Sequence, residues 1–267
     1  MANRLVRLIS TAASGRPLWT PAQLAPNLIL WVDAQDTATV TVGGSPTRLS
    51  QINDKSGNGR HLTRAVFSNQ PNWLTNGIGG KPAMQFEAAR SASIRNAFGL
   101  QAQPFTYALV IRSPSAGGLV TSTFPMGPAD NVGGTQRALI GYFNGPPFVW
   151  NQFAGSGSGP SGVSGQIAND TDHALVFQYN GASSAASVNG TNTSPTNPNT
   201  EGFSGIELGA WNNGGNSANA TIGESIVING TLTSTNRELL EGYLAWRWGF
   251  QTSLPLAHPY RGFAPRL

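Results

Sequence analysis

Short apolar runs separated by turn residues dominate the chain from residue 26 onward. Residues 28–32 form one such run, and residues 105–111 form a longer one. Runs of this length that are rich in β-branched and aromatic residues, and that are bounded by Gly, Pro, Asn or Asp, predict β-strands. The same pattern predicts further strands at 39–42, 84–86, 138–143, 148–153, 173–179, 206–210 and 222–228.

Residues 234–250 follow a different period and predict one α-helix. Leu240, Leu244 and Trp248 recur every four residues, so they share one face of a helix. A single short helix cannot bury that face alone. We therefore expect the helix to lie on a sheet.

The ends of this predicted helix carry recognisable capping residues. Thr235 and Glu238 fit a capping box, in which each side chain satisfies a backbone donor of the first turn. Gly249 is suited to end the helix, because glycine adopts the left-handed conformation that a helix terminus often needs.

The Asn-Gly pair at 180–181 predicts a hairpin, since both residues tolerate positive φ, and its return strand is expected to end at a second Asn-Gly pair at 189–190. Strands at this spacing, separated by turn chemistry, predict a two-sheet antiparallel sandwich. Charged residues make up only 10% of the chain, against roughly 25% in ordinary globular domains. The surface is therefore neutral and amide-rich, which suits a protein that packs against neighbours or binds neutral polar ligands.

Several motifs occur in one order along the chain. They are residues 28–34, 54–62, 80–83, 187–190, 222–224 and 241–249. Together they resemble the laminin-G-like, concanavalin-A-like jelly-roll domains of tailed-phage virion proteins and some bacterial surface proteins. The resemblance covers about residues 26–262. It implies an all-β, antiparallel two-sheet jelly-roll sandwich with one C-terminal α-helix, over residues 26–267, preceded by an extended arm.

The arm of residues 1–25 lies outside the resemblance and is basic. It holds Arg4, Arg7 and Arg16, together with Trp19, and no acidic residue precedes Asp33. We interpret it as a segment that anchors the domain to a partner protein. The remaining basic residues are scattered, so the net charge of +4 does not indicate nucleic-acid binding. No apolar run approaches the roughly 18 residues of a membrane span, so no membrane partner is expected.

The sequence offers little support for catalysis. Glycosidases need two carboxylates that flank the scissile bond, and a Glu-x-Asp-x-Glu pattern is absent. The nearest acid pairs are Asp33/Asp36, Asp170/Asp172 and Glu238/Glu241, and each has a local explanation. We expect the last pair to face solvent on the helix. The chain has no cysteine, and His61, His173 and His258 suggest structural hydrogen bonds rather than a triad.

A turn around Asp54 resembles the first half of a calcium loop. Asp54, Ser56 and Asn58 alternate as oxygen donors, as such loops require, but the closing acid is replaced by Ala65. The favoured interpretation is a structural turn in which Asp54 accepts hydrogen bonds from backbone amides. Ca²⁺ remains the alternative, and no other cofactor is expected.

A loop near residue 211 combines an aromatic ring with amides. Trp211, Asn212, Asn213 and Asn216 could stack on a sugar and bind its hydroxyl groups. The alternative, which we favour, is that Trp211 fills the edge of the sandwich, because buried aromatic rings outnumber ligand platforms.

These observations lead to a functional expectation. We expect a non-enzymatic phage virion structural protein, and specifically a capsid decoration (head) protein that is attached through its arm and displays a lectin-like jelly roll outward. The expected partners are the major capsid protein or other virion proteins, and further copies of the chain. The alternative is a tail-tip or fibre-associated adhesin, or a carbohydrate-binding module that recognises host surface glycans. Either protein would be located in the virion, at the capsid surface or the tail.

Overall fold

The computed structural model describes residues 15–43, 47–114, 123–130, 136–142, 149–155, 161–162, 168–193 and 197–267. Within these ranges the chain forms two antiparallel sheets and one α-helix, so the predicted all-β sandwich is confirmed. Arg4 and Arg7 of the predicted anchoring arm lie outside the described residues.

The strands are numbered in chain order. The first nine are β1 (Leu28–Asp33), β2 (Val40–Val42), β3 (Leu49–Ile52), β4 (Leu62–Thr63), β5 (Asn72–Ile78), β6 (Lys81–Phe86), β7 (Ile94–Gln101), β8 (Phe105–Arg112) and β9 (Thr123–Gly127). The remaining described strands are β10 (Ala138–Tyr142), β11 (Asn151–Ala154), β12 (Ser161–Gly162), β13 (Asp172–Tyr179), β14 (Ala185–Val188), β15 (Thr191–Thr193), β16 (Phe203–Leu208) and β17 (Ala220–Asn229).

The two sheets pack face to face. The first sheet runs in the order β15-β14-β13-β8-β17-β6-β5, and β1 pairs with β17 beside β6. The second sheet runs β12-β11-β10-β9-β16-β7-β4-β3-β2. Strands β13 and β14 form the hairpin predicted at Asn180-Gly181. Strand β14 ends just before Asn189-Gly190, as predicted, and that pair joins it to β15 with positive φ at both residues.

The first sheet is buried on both faces, which explains the long apolar run of β8. Tyr107 and Leu109 point into the core between the sheets. Ala108 and Val110 point the other way, into a second core beneath the helix. A strand covered on both sides loses the apolar-polar alternation of a half-exposed strand. Strand β8 lies between β13 and β17, so its predicted central position is also confirmed.

The helix α1 (Ser234–Trp248) covers the outer face of the first sheet. Leu240, Leu244 and Trp248 are all buried, which confirms the predicted apolar face. Gly249 ends the helix in the left-handed conformation, at φ 84°.

The helix begins at Ser234, as predicted, but its N-cap lies two residues before the predicted Thr235. The N-cap is Thr233, and its hydroxyl oxygen accepts a hydrogen bond from the Asn236 amide. The predicted box of Thr235 and Glu238 is therefore wrong, because Thr235 already lies inside the first turn. Thr233 lacks the partner of a capping box, because Asn236 rather than Glu or Gln stands three residues after it.

Glu241 was expected to face solvent and is instead buried. Its Oε2 lies 3.2 Å from His258 Nε2, and its Oε1 lies 3.4 Å from Arg237 Nε. The reason is that the segment after α1 folds back over this side of the helix, so that Tyr260 packs against Gly242.

The described start of the chain packs on the chain's own C-terminus. The Trp19 amide donates to the Pro265 carbonyl at 3.0 Å, and the Leu267 amide donates to the Pro17 carbonyl at 3.0 Å. The Trp19 ring is buried in the second core, with its centroid 5.9 Å from that of Tyr243. The Trp19 side chain is thus enclosed by this chain, and its role in anchoring a partner protein stays a prediction. Arg16 is exposed.

No helix within the described ranges is long and apolar enough to span a membrane.

Candidate ligand-binding cavity

A cavity of about 440 Å³ opens on the outer face of the first sheet. It lies between β1, the last turns of α1 and the two terminal segments that pair with each other. Its lining combines aromatic rings, aliphatic groups and ionic side chains: Leu18, Trp19, Thr20, Trp31, Asp33, Gln35, Lys55, Lys81, Tyr243, Trp246, Arg247, Ala264 and Pro265. The volume falls within the range of roughly 300–1,000 Å³ that is typical of small-molecule sites.

A fully buried carboxylate, that of Glu224 on β17, organises the aromatic wall. Glu224 Oε1 accepts hydrogen bonds from Trp31 Nε1 at 2.7 Å and from the Tyr243 hydroxyl at 2.9 Å. Its Oε2 accepts one from Trp248 Nε1 at 2.7 Å. Buried polar groups need such partners, and here the three donors fix the orientation of the three rings.

The charge of Glu224 is disfavoured where it lies. Burial raises the pKa of Glu224 to about 7, and the negative charge of Asp33 contributes in the same direction. Burial and the neighbouring carboxylate of Glu224 likewise raise the pKa of Tyr243. Tyr243 and the two indoles therefore act toward Glu224 as neutral hydrogen-bond donors.

Asp33, the last residue of β1, carries the negative charge of the cavity. Its buried Oδ2 accepts from Arg247 Nη2 at 2.7 Å and from Lys55 Nζ at 3.2 Å. Lys55 also pairs with Asp36 at 2.8 Å, and its ammonium lies 4.5 Å from the centroid of the Trp31 ring. The hydrogen bond from Lys55 lowers the pKa of Asp36. Lys55 and Asp33 are thus both engaged.

Lys81, at the start of β6, completes the ionic side of the cavity. Its Nζ donates to the backbone carbonyl of Arg247. Burial lowers the pKa of Lys81, and the positive charge of Arg247 lowers it further. Gln35 donates to the same carbonyl through Nε2 at 3.1 Å. The end of α1 is therefore held by Lys81 from the sheet and by Gln35 from the turn after β1.

The arrangement favours binding over acid-base chemistry. Asp33 and Glu224 are cross-strand partners on β1 and β17, so two carboxylates do lie close together. Asp33 is neutralised by two cations, however, and Glu224 lies behind the cavity wall with both oxygens occupied. A glycosidase needs its acid and its nucleophile or base to reach the scissile bond from the cleft.

The residues predicted to bind a glycan lie elsewhere, in the loop that follows β16. Trp211 is half-buried and packs edge-on against Phe124, with ring centroids 5.9 Å apart, and the Arg137 guanidinium lies 5.7 Å from its ring. Trp211 thus packs against the apolar cluster of Phe124, Leu139 and Phe153. Asn212 and Asn216 are exposed.

The Trp211 loop is tied to the body of the sandwich through Asn213. The Asn213 amide donates to the buried Glu207 Oε2 at 2.7 Å, and its side-chain oxygen accepts from Arg64 at 3.1 Å. Burial raises the pKa of Glu207, while hydrogen bonds from Ser93 and Asn213 oppose that rise. The loop is therefore held in one conformation, and its role in binding a glycan stays a prediction.

The turn around Asp54 has the structural role that the sequence favoured. The Asp54 carboxylate accepts from the backbone amides of Trp31, Ser56 and Arg60 at 2.8–3.0 Å, and from the Ser56 hydroxyl at 2.7 Å. Asn58 donates to the Leu28 carbonyl at 2.8 Å. Among the described residues, no group of three or more His, Cys, Asp and Glu side chains could hold a metal ion.

No sequence pattern predicts the cavity, although several of its residues lie in motifs described above. Trp31 and Asp33, Lys55, Lys81, Glu224 and Arg247 lie in five of the motifs that carry the family resemblance. In the sequence these motifs indicate the fold. The structure shows that these separate segments meet around one cavity and its wall. The five segments share one sequence pattern, a charged residue in or next to an apolar strand or helix.

No protein-family model matches the sequence, and no curated protein matches it. Solved structures do resemble the fold. The binding domain of Paraclostridial Mosquitocidal Protein 1 aligns with a TM-score of 0.57 and 15% identity over 81% of this chain, which spans 52% of that domain. Domain 4 of AbnA, a GH43 extracellular arabinanase from Geobacillus stearothermophilus, solved in complex with arabinotriose, aligns with a TM-score of 0.53 and 15% identity, over 78% of this chain and 95% of that domain. At this identity the likeness shows a shared β-sandwich fold.

Proposed function

We propose that this β-sandwich is a non-catalytic carbohydrate-binding domain and that the cavity beneath α1 is its binding site. One observation carries the proposal: aromatic and ionic side chains converge on a cavity of ligand size. Sugars present apolar ring faces and many hydroxyl groups, so sites that bind them combine aromatic surfaces with fixed hydrogen-bonding groups.

The polar groups of the cavity are positioned before any ligand enters. Asp33 is fixed by Lys55 and Arg247, and Gln35 is fixed by the end of α1. Trp246 is half-buried at the rim, and its Nε1 donates to the Tyr260 carbonyl at 2.7 Å. Groups that are held in place lose little conformational entropy on binding, which favours affinity.

The structural likeness supports this proposal at the level of fold. Domain 4 of AbnA was solved in complex with arabinotriose, so one sandwich of similar shape does hold an oligosaccharide. Fold alone does not determine function. The site must therefore be tested on this chain's own residues.

A glycan array tests both the binding function and the location of the binding site. It is measured for the wild type, Trp246→Ala and Trp211→Ala. Trp246→Ala removes an aromatic ring from the rim of the cavity, whereas Trp211→Ala removes one from the loop predicted from sequence. We expect the wild type and Trp211→Ala to bind the same glycans and Trp246→Ala to lose them. Loss in Trp211→Ala alone would move the site to the loop. A blank array for the wild type would refute the function.

A second proposal concerns where such a domain is displayed. We propose that the chain is a capsid decoration protein of a phage and that residues before Gly15 attach it to the particle. Gly15 and Arg16 are exposed, and the Arg16 carbonyl accepts from Arg266 at 2.7 Å. The described part of the chain thus begins at the surface, beside the C-terminal residues.

The burial of Trp19 sharpens the test of attachment. Deleting residues 1–25 would remove a core side chain, so loss of attachment could reflect misfolding. Deleting residues 1–14 keeps Trp19 and removes Arg4 and Arg7. We expect this shorter protein to fold and to fail to join the particle. Normal incorporation of the deletion variant would contradict the proposed role of these residues, and self-association can be read from the same samples by light scattering.

A further inference from the structure

Positive charge exceeds negative charge around the cavity. Lys55, Lys81 and Arg247 line it, and Asp33 is the acidic residue among its lining groups. Asp36 lies beside the cavity and pairs with Lys55 at 2.8 Å. Lys55 therefore pairs with two carboxylates, those of Asp33 and Asp36. Arg247 pairs with Asp33 as well. The low fraction of charged residues in the whole sequence suggested neutral ligands. The lining of the cavity is more highly charged than the rest of the chain.

Lys81 is the cation whose charge is least compensated. Within the described residues it lies within ion-pair distance of no carboxylate, and its ammonium donates to the Arg247 carbonyl. Partial burial and the charge of Arg247 lower the pKa of Lys81, and the charge of Asp33 opposes them. Partial loss of hydration makes an ammonium costly unless an anion accompanies it. An incoming anion would remove that cost.

Arg247 offers a second donor at the same place. Its Nη2 donates to Asp33 at 2.7 Å, and its side chain, which lines the cavity, is 35% exposed. A guanidinium presents five donors in a planar fork that matches a carboxylate. Lys81 and Arg247 together thus provide a point charge and a directional donor on one side of the cavity.

We propose that the cavity binds a saccharide that carries a carboxylate, and that Lys81 and Arg247 contact this carboxylate. The inference rests on the proposed carbohydrate-binding function and specifies its ligand class. The sugar ring lies toward Trp246 and Leu18, the half-buried and exposed apolar groups at the rim. The acidic group faces the ionic side of the cavity.

The test uses an array that carries galacturonate, glucuronate and sialate saccharides, each beside its methyl ester. The esters keep the shape and remove the charge. We expect the full-length protein to bind an acid at least about tenfold more tightly than its ester, and added NaCl to weaken binding of the acid, since screening reduces charge attraction. Free acetate at the same concentration should not bind, because it lacks the sugar ring.

Variants of Lys81 assign the effect to the cavity. Lys81→Gln should reduce the preference for the acid over the ester by about tenfold, the loss of one charge-assisted contact. Lys81→Arg should retain most of it. Arg48→Gln, which removes a positive charge next to β3 in the opposite sheet, should leave the preference unchanged and serves as the matched control. Unchanged melting temperatures would show that the variants are folded.

The outcomes separate this inference from the function on which it rests. Equal binding of acid and ester would overturn the acidic ligand and leave the carbohydrate-binding function standing. A preference for the acid that survives in Lys81→Gln would place the anion elsewhere and overturn the assignment of Lys81. Absence of binding to every saccharide, acidic and neutral, would refute both proposals.

Discussion

Asp33 and Glu224 are directly opposite each other on antiparallel strands β1 and β17, and their environments differ sharply. Asp33 is held by two cations, whereas Glu224 is held by two indole N–H groups and one phenol. Two nearby carboxylates disfavour each other's ionised forms. Here the charge of Asp33 is compensated by Lys55 and Arg247. The pKa of Glu224 is raised instead.

The first prediction concerns the pH dependence of stability at Glu224. Its folded pKa of about 7 exceeds the ordinary value of 4.5, so the folded state binds the proton more tightly than the unfolded state. The free energy of unfolding contributed by this group is therefore greatest below about pH 4.5 and falls as the pH rises to about 7, by up to about 1.4 kcal/mol per pH unit. Urea denaturation from pH 5 to pH 8 measures the decline.

Glu224→Gln isolates this contribution. Glutamine does not titrate, but its amide group meets three donors, so we expect a loss of about 1–3 kcal/mol at pH 5. The difference between the wild type and the variant should shrink toward pH 8. A difference that stays constant from pH 5 to pH 8 would show that Glu224 does not titrate in this range.

The second prediction concerns the close approach of β17 to the helix. A Cβ added at Gly223 would lie 2.5 Å from Cη2 of Trp248, and Trp248 donates to Glu224. Gly223→Ala should therefore displace the indole and lower the free energy of unfolding by about 1–3 kcal/mol. Gly99→Ala is the control, because a Cβ there meets nothing within 4 Å. Equal melting temperatures for the two variants would contradict the proposed contact.

Local pattern sufficed for much of the fold and for little of the cavity. Strand β8 and helix α1 were predicted because their apolar residues are dense or periodic over several turns. Strand β7 (Ile94–Gln101) was missed, since only its first residue is fully buried and the rest alternates weakly. It is a strand because β16 and β4 pair with it, a tertiary cause that no local window contains.

The cavity depends on contacts that are distant in sequence. Trp31 and Glu224 are 193 residues apart, and no spacing rule links them. Trp19 lies in a short segment without periodicity, so its burial follows only from the pairing of the two chain ends. The Trp211 loop, by contrast, places an aromatic residue and amides side by side in sequence. The sequence therefore indicates this loop as a candidate glycan site, although the Trp211 ring packs against Phe124.

The third prediction concerns calcium at Asp54. Both carboxylate oxygens already accept hydrogen bonds from the protein, so a cation would have to displace donors that hold the turn. We expect neither millimolar Ca²⁺ nor a chelator to change the melting temperature. Asp54→Ala should be destabilising by about 1–3 kcal/mol, because several backbone amides lose their acceptor. A rise in melting temperature with Ca²⁺ that is absent in Asp54→Ala would instead establish a calcium site.

The last prediction tests whether the described start of the chain is part of the fold. Trp19 packs edge-on against Tyr243, whose hydroxyl group holds Glu224, so removal of the indole should be transmitted to the cavity wall. Trp19→Ala should lower the free energy of unfolding by about 3 kcal/mol or more, as for other large aromatic residues in cores. It should also weaken ligand binding at the cavity. Deletion of residues 1–14 should leave both quantities near their wild-type values, because Trp19 and its contacts remain. A stable Trp19→Ala variant with unchanged binding would restore the interpretation of Trp19 as a residue kept for a partner protein.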